Sequence, residues 1–183
     1  ITAGETMNYG YGINSNARKT GIAVDKNSTH EFTTEEFLNL GDVLRVYTSP
    51  NIKELDFSLM SSTINNIDIS NVLSKSTGTK LKKLVLGGVQ PNNTLATISG
   101  LLQAKRLEYL DITNMTKITA LNLTDLKYLK TLKAFGSGLK DISFPRASLL
   151  ERLELPTTIN SLNLENMNYL KASDIVFQNG HAT

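Results

Sequence analysis

Residues 118–130 read ITALNLTDLKYLK, and residues 159–171 read INSLNLENMNYLK. Seven of the thirteen positions are identical at an offset of 41 residues. Around these segments the pattern L-x-x-L-x-L recurs about every 21 residues, so the offset spans two repeats. Its copies are Leu81-Leu84-Leu86, Leu107-Leu110-Ile112 and Leu150-Leu153-Leu155, with weaker copies Ile52-Leu55-Phe57, Leu129-Leu132-Ala134 and Leu170-Ser173-Ile175. A second set lies between them: Ile118-Leu121-Leu123, Leu139-Ile142-Phe144 and Ile159-Leu162-Leu164.

A repeat of this length cannot bury its apolar side alone, whereas stacked neighbours bury a continuous core along a coil. The alternation in L-x-L places the leucines inside and the intervening residues outside when the segment is a strand. Residues 94–105 also carry apolar side chains at helical spacing, which predicts a helix on one turn. The run GGVQPNN at residues 87–93 is typical of a loop. The sequence therefore predicts a β-rich α/β solenoid of about 21 residues a turn, with a parallel sheet on one face.

The predicted core consists of the inward-facing apolar residues of both sets. It contains Leu84, Leu86, Leu110, Ile112, Leu121, Leu123, Leu132, Leu153, Leu155, Leu162 and Leu164.

Residues 107–170 resemble an irregular, internalin-like leucine-rich-repeat array, in which each turn reads L-x-x-L-x-L-x-x-N-x-I-x-x-I-x-x-L. The resemblance extends over about residues 50–177 and implies a solenoid. The asparagine of that family, which bonds backbone groups between turns, would fall at Met115, Ser137 and Thr158, with Asn114 one place early. We therefore expect the asparagine ladder to be missing or rebuilt with hydroxyl groups.

Residues 135–170 are also similar in style to leucine-rich segments of large structural proteins of tailed bacteriophages that infect Bacteroidetes. That resemblance implies a non-enzymatic structural or protein-interaction module, part of a larger virion protein of the tail or another part of the particle. Residues 135–170 also resemble sequence segments of cell-surface repeat proteins of those bacteria. The alternative is therefore a leucine-rich-repeat adhesin at a bacterial cell surface or in a secreted protein.

Three segments are expected along the chain. Residues 1–50 form a Gly- and Asn-rich lead-in, residues 51–177 the solenoid, and residues 178–183 a tail or a link to a following segment. Within the lead-in, residues 33–41 predict a short capping helix with Thr33 at its N-cap, Glu36 completing a capping box and Gly41 ending it. The chain begins at Ile1, and we expect it to be a piece of a longer protein whose other domains or subunits cover the last turn.

Composition narrows the classes of function. The chain has 183 residues, no cysteine and a net charge of +2, with basic and acidic residues interspersed. The lack of cysteine excludes a disulfide framework and a thiol nucleophile. The balanced charge disfavours a nucleic-acid partner, and no apolar run is long enough to predict insertion into a membrane.

Two motifs in the lead-in weakly match cofactor or metal templates. Residues 10–15 read GYGINS, which lacks the third glycine of a dinucleotide loop and predicts an ordinary loop. Asp25, Asn27, Thr29 and Glu36 match positions of a calcium loop, but His30 replaces its turn glycine. The two histidines, His30 and His181, stand at opposite ends of the chain. We therefore predict no cofactor, no metal and no enzymatic activity.

The candidate binding residues lie on the outward side of the predicted sheet. They are Tyr109, Asp111, Lys133, Phe135 and Glu154. In register, Asp111, Lys133 and Glu154 should form an alternating charge ladder, with Tyr109 and Phe135 nearby as exposed aromatic residues. The charges either merely solvate the sheet or form a recognition face for protein subunits or domains of a larger assembly, or for a host surface receptor.

Overall fold

The computed structural model describes residues 2–3, 7–13, 17–24, 44–48, 52–69, 80–165 and 167–178. Within these ranges the chain forms fourteen short strands and three 3₁₀ segments. The strands are β1 Thr2–Ala3, β2 Met7–Ile13, β3 Ala17–Val24, β4 Leu44–Thr48, β5 Ile52–Asp56, β6 Ile67–Asp68, β7 Lys83–Val85, β8 Ile98–Ser99, β9 Tyr109–Asp111, β10 Ala120–Asn122, β11 Thr131–Lys133, β12 Asp141–Ser143, β13 Arg152–Leu155 and β14 Ile175–Phe177. The 3₁₀ segments are Ser58–Thr63, Leu101–Gln103 and Ala172–Asp174.

The largest sheet has the strand order β1-β5-β7-β9-β11-β13-β14. From β5 onward all its strands are parallel, one for each turn of the coil, and the two-residue β1 joins β5 antiparallel. The stacked central residues are Leu55, Leu84, Leu110, Leu132, Leu153 and Ile175. From Leu110 onward the turns are nearly equal in length, whereas the two turns before it are longer. The prediction of a solenoid with a short repeat and a parallel sheet on one face is thus confirmed.

The last repeat differs from the predicted alignment by two residues. The pattern Leu170-Ser173-Ile175 places Ser173 beside Leu153, but the strand register pairs Ile175 with Leu153. The 3₁₀ segment Ala172–Asp174 lies immediately before β14 and takes up the two extra residues. The last turn is therefore longer than the sequence pattern predicts and matches the turn from Leu110 to Leu132.

Leucines spaced three residues apart also mark the corners of the coil between the strands. The N–H of Leu126 donates to the carbonyl of Leu123 at 2.9 Å, and that of Leu129 donates to Leu126 at 3.1 Å. Residues 164–170, two repeats later, have the same pattern of bonds. Each such bond closes a tight turn of the 3₁₀ type and returns the next apolar side chain to the interior.

The hydrophobic core runs along the inside of the coil. Nine of the eleven predicted core residues are buried: Leu84, Leu86, Leu110, Ile112, Leu121, Leu123, Leu132, Leu153 and Leu155. The other two, Leu162 and Leu164, are only partly buried. They lie in a stretch without strand structure that follows β12 around the coil.

The helix predicted within residues 94–105 is wrong. This stretch holds the short strand β8 and the 3₁₀ segment Leu101–Gln103. Gly100 separates them at φ 82°, a left-handed conformation that ends any right-handed helix. The apolar spacing instead reflects turns of the coil, with Leu95 and Leu101 buried. Because helices in the described residues are limited to 3₁₀ segments, the α/β label is not confirmed.

Side-chain bonds between turns do exist, and they follow an irregular pattern. Thr158 Oγ1 donates to the carbonyl of Leu139 at 2.6 Å, so at this position a hydroxyl group replaces the asparagine of the ladder, as predicted. Ser137 Oγ bonds Ala134 within its own turn. Asn114, at φ 61°, donates from Nδ2 to the carbonyl of Gly88 at 2.8 Å. The completely buried Asn92, which the sequence pattern did not single out, bonds two carbonyls of the preceding turn.

Two smaller parallel ladders lie opposite the large sheet. One pairs β6 with β8, the other pairs β10 with β12, and together they form what we call the back wall. Ile64, Ile67 and Ile69 are buried at the first ladder.

The lead-in contains a three-stranded antiparallel sheet of order β3-β2-β4. Gly10 and Gly12, predicted to lie in a loop, belong to strand β2 and pair with Tyr47 and Arg45 of β4. The predicted capping helix at 33–41 and the calcium-like motif at 25–36 lie outside the described residues.

Candidate functional site

The side chains between the inward leucines form the outward face of the large sheet. The register places Asp56, Val85, Asp111, Lys133, Glu154 and Val176 in one column. A second column, two residues earlier, contains Glu54, Lys83, Tyr109, Thr131 and Arg152. The alignment of Asp111, Lys133 and Glu154 predicted from the sequence is therefore present.

Glu154 is the most enclosed charged group of this face. Only 7% of the residue is exposed, although the pattern predicted an outward side chain. Arg152 Nε donates to Glu154 Oε1 at 2.8 Å on the same strand, and Lys133 Nζ lies 4.0 Å from Glu154 Oε2 on the next strand. The two cations remain more exposed than the carboxylate that they flank. Pairing on two sides offsets part of the free-energy cost of removing this carboxylate from water.

Tyr109 and Asp111 form the centre of the face. The phenol of Tyr109 donates a long hydrogen bond of 3.4 Å to Asp111 Oδ2, and Asp111 Oδ1 accepts the N–H of Thr113 at 2.9 Å. Burial, followed by the negative charges of Asp111, Glu154 and Asp56, raises the pKa of Tyr109 to about 12. The phenol thus remains a hydrogen-bond donor at neutral pH.

Lys83 extends this cluster toward the first turns. Its Nζ lies 5.7 Å from the centroid of the Tyr109 ring and 3.9 Å from Glu54 Oε2. The first distance is within the range of a cation–π contact. Tyr109 is therefore held by a carboxylate on its own strand and by a cation on the neighbouring strand.

Phe135 follows β11 and is half-buried rather than an exposed aromatic. Its carbonyl accepts the N–H of Asn114 at 2.7 Å. The following N–H, of Gly136, donates to the side-chain oxygen of Gln178, which lies 42 residues further along the chain. Pro156 follows β13 in the turn between these two residues, and it has no N–H with which to donate a similar bond. Gln178 thus ties the last turn to the edge of the outward face.

Charge pairs between turns also occur just before the strands. Lys82 Nζ lies 2.6 Å from Glu108 Oε1, and Lys130 Nζ lies 3.9 Å from Glu151 Oε1. Opposite charges on successive turns are therefore also paired outside the predicted ladder. These pairs are largely solvent-exposed, so each contributes only about 0–1 kcal/mol.

Two exposed tyrosines were not among the predicted site residues. Tyr128 is 54% exposed and Tyr169 is 59% exposed, each directly before a corner leucine. They occupy equivalent positions in the two matching segments, so the repeat that revealed the fold also carried the signal for them. They lie outside the two columns of the outward face.

The described part of the chain contains no group of three or more His, Cys, Asp or Glu side chains placed to hold a metal ion. Among these same residues, no helix has the length and apolar character needed to cross a membrane. No protein-family model, curated protein or solved structure gave a significant match to the chain.

Proposed function

We propose that the chain is a non-enzymatic structural and protein-interaction module that uses the outward face as its contact surface. The observation that carries this proposal is the fixed cluster of Tyr109, Asp111, Lys133 and Glu154 on three adjacent parallel strands. The completely buried leucines beneath them, including Leu110, anchor these strands to the core.

The physical argument for a contact surface is preorganisation. The side chains of this face are already held by contacts with Arg152, Lys83 and their neighbours. Binding a partner therefore costs this chain little additional conformational entropy. Aromatic residues and arginine are also the residue types that contribute most to protein interfaces. The proposed partners are other protein subunits or domains of a larger assembly.

The non-enzymatic part of the proposal rests on the sequence. It has no cysteine and no G-x-S-x-G motif, so it offers neither a thiol nucleophile nor the serine of a nucleophile elbow.

The proposed setting is a virion protein of a tailed bacteriophage, which rests on the similarity of residues 135–170 to leucine-rich segments of such proteins. A bacterial surface adhesin with internalin-like repeats is the second candidate, because the L-x-x-L-x-L pattern fits both. Quantifying peptides of this chain by mass spectrometry in purified phage particles and in bacterial envelope fractions distinguishes the two settings. Enrichment in particles supports the first, and enrichment in envelopes contradicts it.

Two alanine substitutions test the contact surface. Tyr109→Ala and Phe135→Ala should each reduce association with the native assembly at least tenfold, while the matched control Tyr128→Ala leaves it unchanged. Because Tyr109 and Phe135 are half-buried, thermal unfolding must first show that each variant is folded. Folded variants that associate as well as the natural chain would contradict the proposal.

A further inference from the structure

The back wall is interrupted between β8 and β10. The strands of the same two turns on the large sheet, β7 and β9, are paired directly, with Leu84 beside Leu110. On the back wall, however, β8 pairs only with β6, and β10 only with β12, among the strands that the structure describes. Two consecutive turns are thus joined on one side of the coil and separated on the other.

The length of the turn that carries β8 explains the interruption. The turn from Leu84 to Leu110 is four residues longer than the turn from Leu110 to Leu132. Most of the additional chain precedes β8, because Ile98 follows Leu84 by fourteen residues whereas Leu121 follows Leu110 by eleven. The left-handed Gly100 and the 3₁₀ segment Leu101–Gln103 directly follow β8. Turns of unequal length thus meet at the interruption.

Backbone groups of both strands point into the interruption. Thr119 O accepts the N–H of Asp141, and the N–H of Leu123 donates to Ser143 O. The N–H and C=O groups of successive residues point to opposite sides of a strand. The backbone groups of residues 119, 121 and 123 therefore face β12, and the backbone groups of Ala120 and Asn122 face β8. On the other side, Ser99 O accepts the N–H of Ile69, so Ile98 directs its N–H and C=O toward β10.

A cavity of about 390 Å³ lies between these strand edges. Its volume is within the range of ligand sites in proteins. Apolar side chains form most of its wall, and the polar side chains in the wall, Thr97, Gln103 and Asn122, are uncharged. Ile98 and Leu102 are only partly buried there, while Ala96 and Ala120 are exposed.

From this arrangement we infer that the interruption is a binding slot for an extended, uncharged peptide segment of a partner protein. The segment adds as one strand between β8 and β10 and joins the two back-wall ladders into a single sheet. Main-chain bonds to Ile98, Ala120 and Asn122 supply the affinity, and the apolar cavity accepts small aliphatic side chains. The uncharged lining selects against acidic and basic segments, since a charge would lose its hydration without finding a partner. This site is separate from the outward face and does not depend on its proposed function.

The test uses the 183-residue chain and a pool of capped pentapeptides, Thr-Xaa-Val-Xaa-Thr, in which Xaa is Ala, Val, Leu or Ile. Backbone-amide NMR spectra recorded during titration should change at Ile98, Gly100, Ala120 and Asn122. A strand with neighbours on both sides uses all its amides, so a pool methylated on alternate amide nitrogens should bind at least tenfold more weakly. Ala120→Pro, which removes one donor facing the slot, should weaken binding equally. The control Tyr128→Ala, which changes an exposed side chain outside the cavity wall, should bind normally.

Either of two results overturns the inference. One is the absence of changes at these amides with millimolar peptide. The other is equal binding of the methylated and unmethylated pools, since this would indicate apolar contact without strand addition. The methylated pool decides the question even if Ala120→Pro does not fold.

Discussion

Asn92 Nδ2 donates a hydrogen bond of 2.7 Å to the carbonyl oxygen of Ile64, which lies one turn earlier in the coil. The same amide group also donates to the carbonyl of Ser61 at 2.6 Å. Asn92 Oδ1 accepts the backbone N–H groups of Thr94 and Leu95 at 2.9 and 2.8 Å. One completely buried side chain therefore satisfies backbone groups of two consecutive turns.

Replacing Asn92 with alanine should lower the free energy of unfolding by about 3–5 kcal/mol, because several buried backbone groups lose their partners at about 1–3 kcal/mol each. Urea denaturation of the two proteins measures the difference. The control is Asn122→Ala, since Asn122 is exposed and its side-chain oxygen accepts hydrogen bonds from Thr124, two residues later on the same turn. Equal stability of both variants would show that Asn92 does not join the turns.

The role of Asn92 also shows where the sequence pattern was insufficient. The alternation of apolar residues predicted the parallel sheet, its inward leucines and the column that contains Asp111, Lys133 and Glu154. It did so because the faces of a strand alternate strictly. Asn92 stands outside the expected frame, in a run typical of loops, so only its surroundings in three dimensions reveal its bonds to Ile64 and Ser61.

The burial of Glu154 and the interruption of the back wall were missed for a related reason. Glu154 is enclosed by Arg152 and Lys133, which lie on two different strands, and the interruption lies where turns of unequal length meet. The local repeat specifies neither arrangement. The helix predicted near Leu101 failed because apolar spacing of three and four residues is shared by helices and by tight corners of a coil. The exposed tyrosines Tyr128 and Tyr169, in contrast, could have been found from their equivalent positions in the repeat.

Leu110 tests the packing of the stack. It is completely buried at the centre of β9. Leu110→Ala should destabilise the chain by about 2–5 kcal/mol, because a buried leucine loses its packing and leaves a cavity. The matched control, Leu59→Ala, removes a leucine that is fully exposed and should change the unfolding free energy little. A small effect of Leu110→Ala in calorimetric unfolding would be incompatible with a continuous core.

Two glutamates of the sheet should differ in their contribution to stability. Glu154→Gln removes a charge with a 9%-exposed side chain that is paired with Arg152 and Lys133, and we expect a loss of about 1–3 kcal/mol. Glu151→Gln removes a charge with a 56%-exposed side chain, paired with Lys130 at 3.9 Å, and should cost about 0–1 kcal/mol. Urea denaturation of both variants makes the comparison. The reverse order would mean that the outward charges only solvate the sheet.

The raised pKa of Tyr109 makes stability depend on alkaline pH. Below about pH 9 the phenol is protonated in both the folded and the unfolded chain, so it adds no pH dependence there. Between pH 10 and about 12 the unfolded chain releases this proton more readily than the folded chain, and stability should fall as pH rises. Thermal unfolding across this range should show a smaller decline for Tyr109→Phe. An identical decline would contradict the environment assigned to Tyr109.

The most direct test of the proposed function is lysine labelling of the chain, free and in its native assembly. Lys133, on the outward face, is compared with Lys140, which is exposed just before the back-wall strand β12. Acetylation quantified by mass spectrometry should reach both lysines in the free chain. In the assembly, labelling of Lys133 should fall at least tenfold while labelling of Lys140 is unchanged. Equal labelling of Lys133 in the free and assembled chain would contradict the proposal that the outward face is the contact surface.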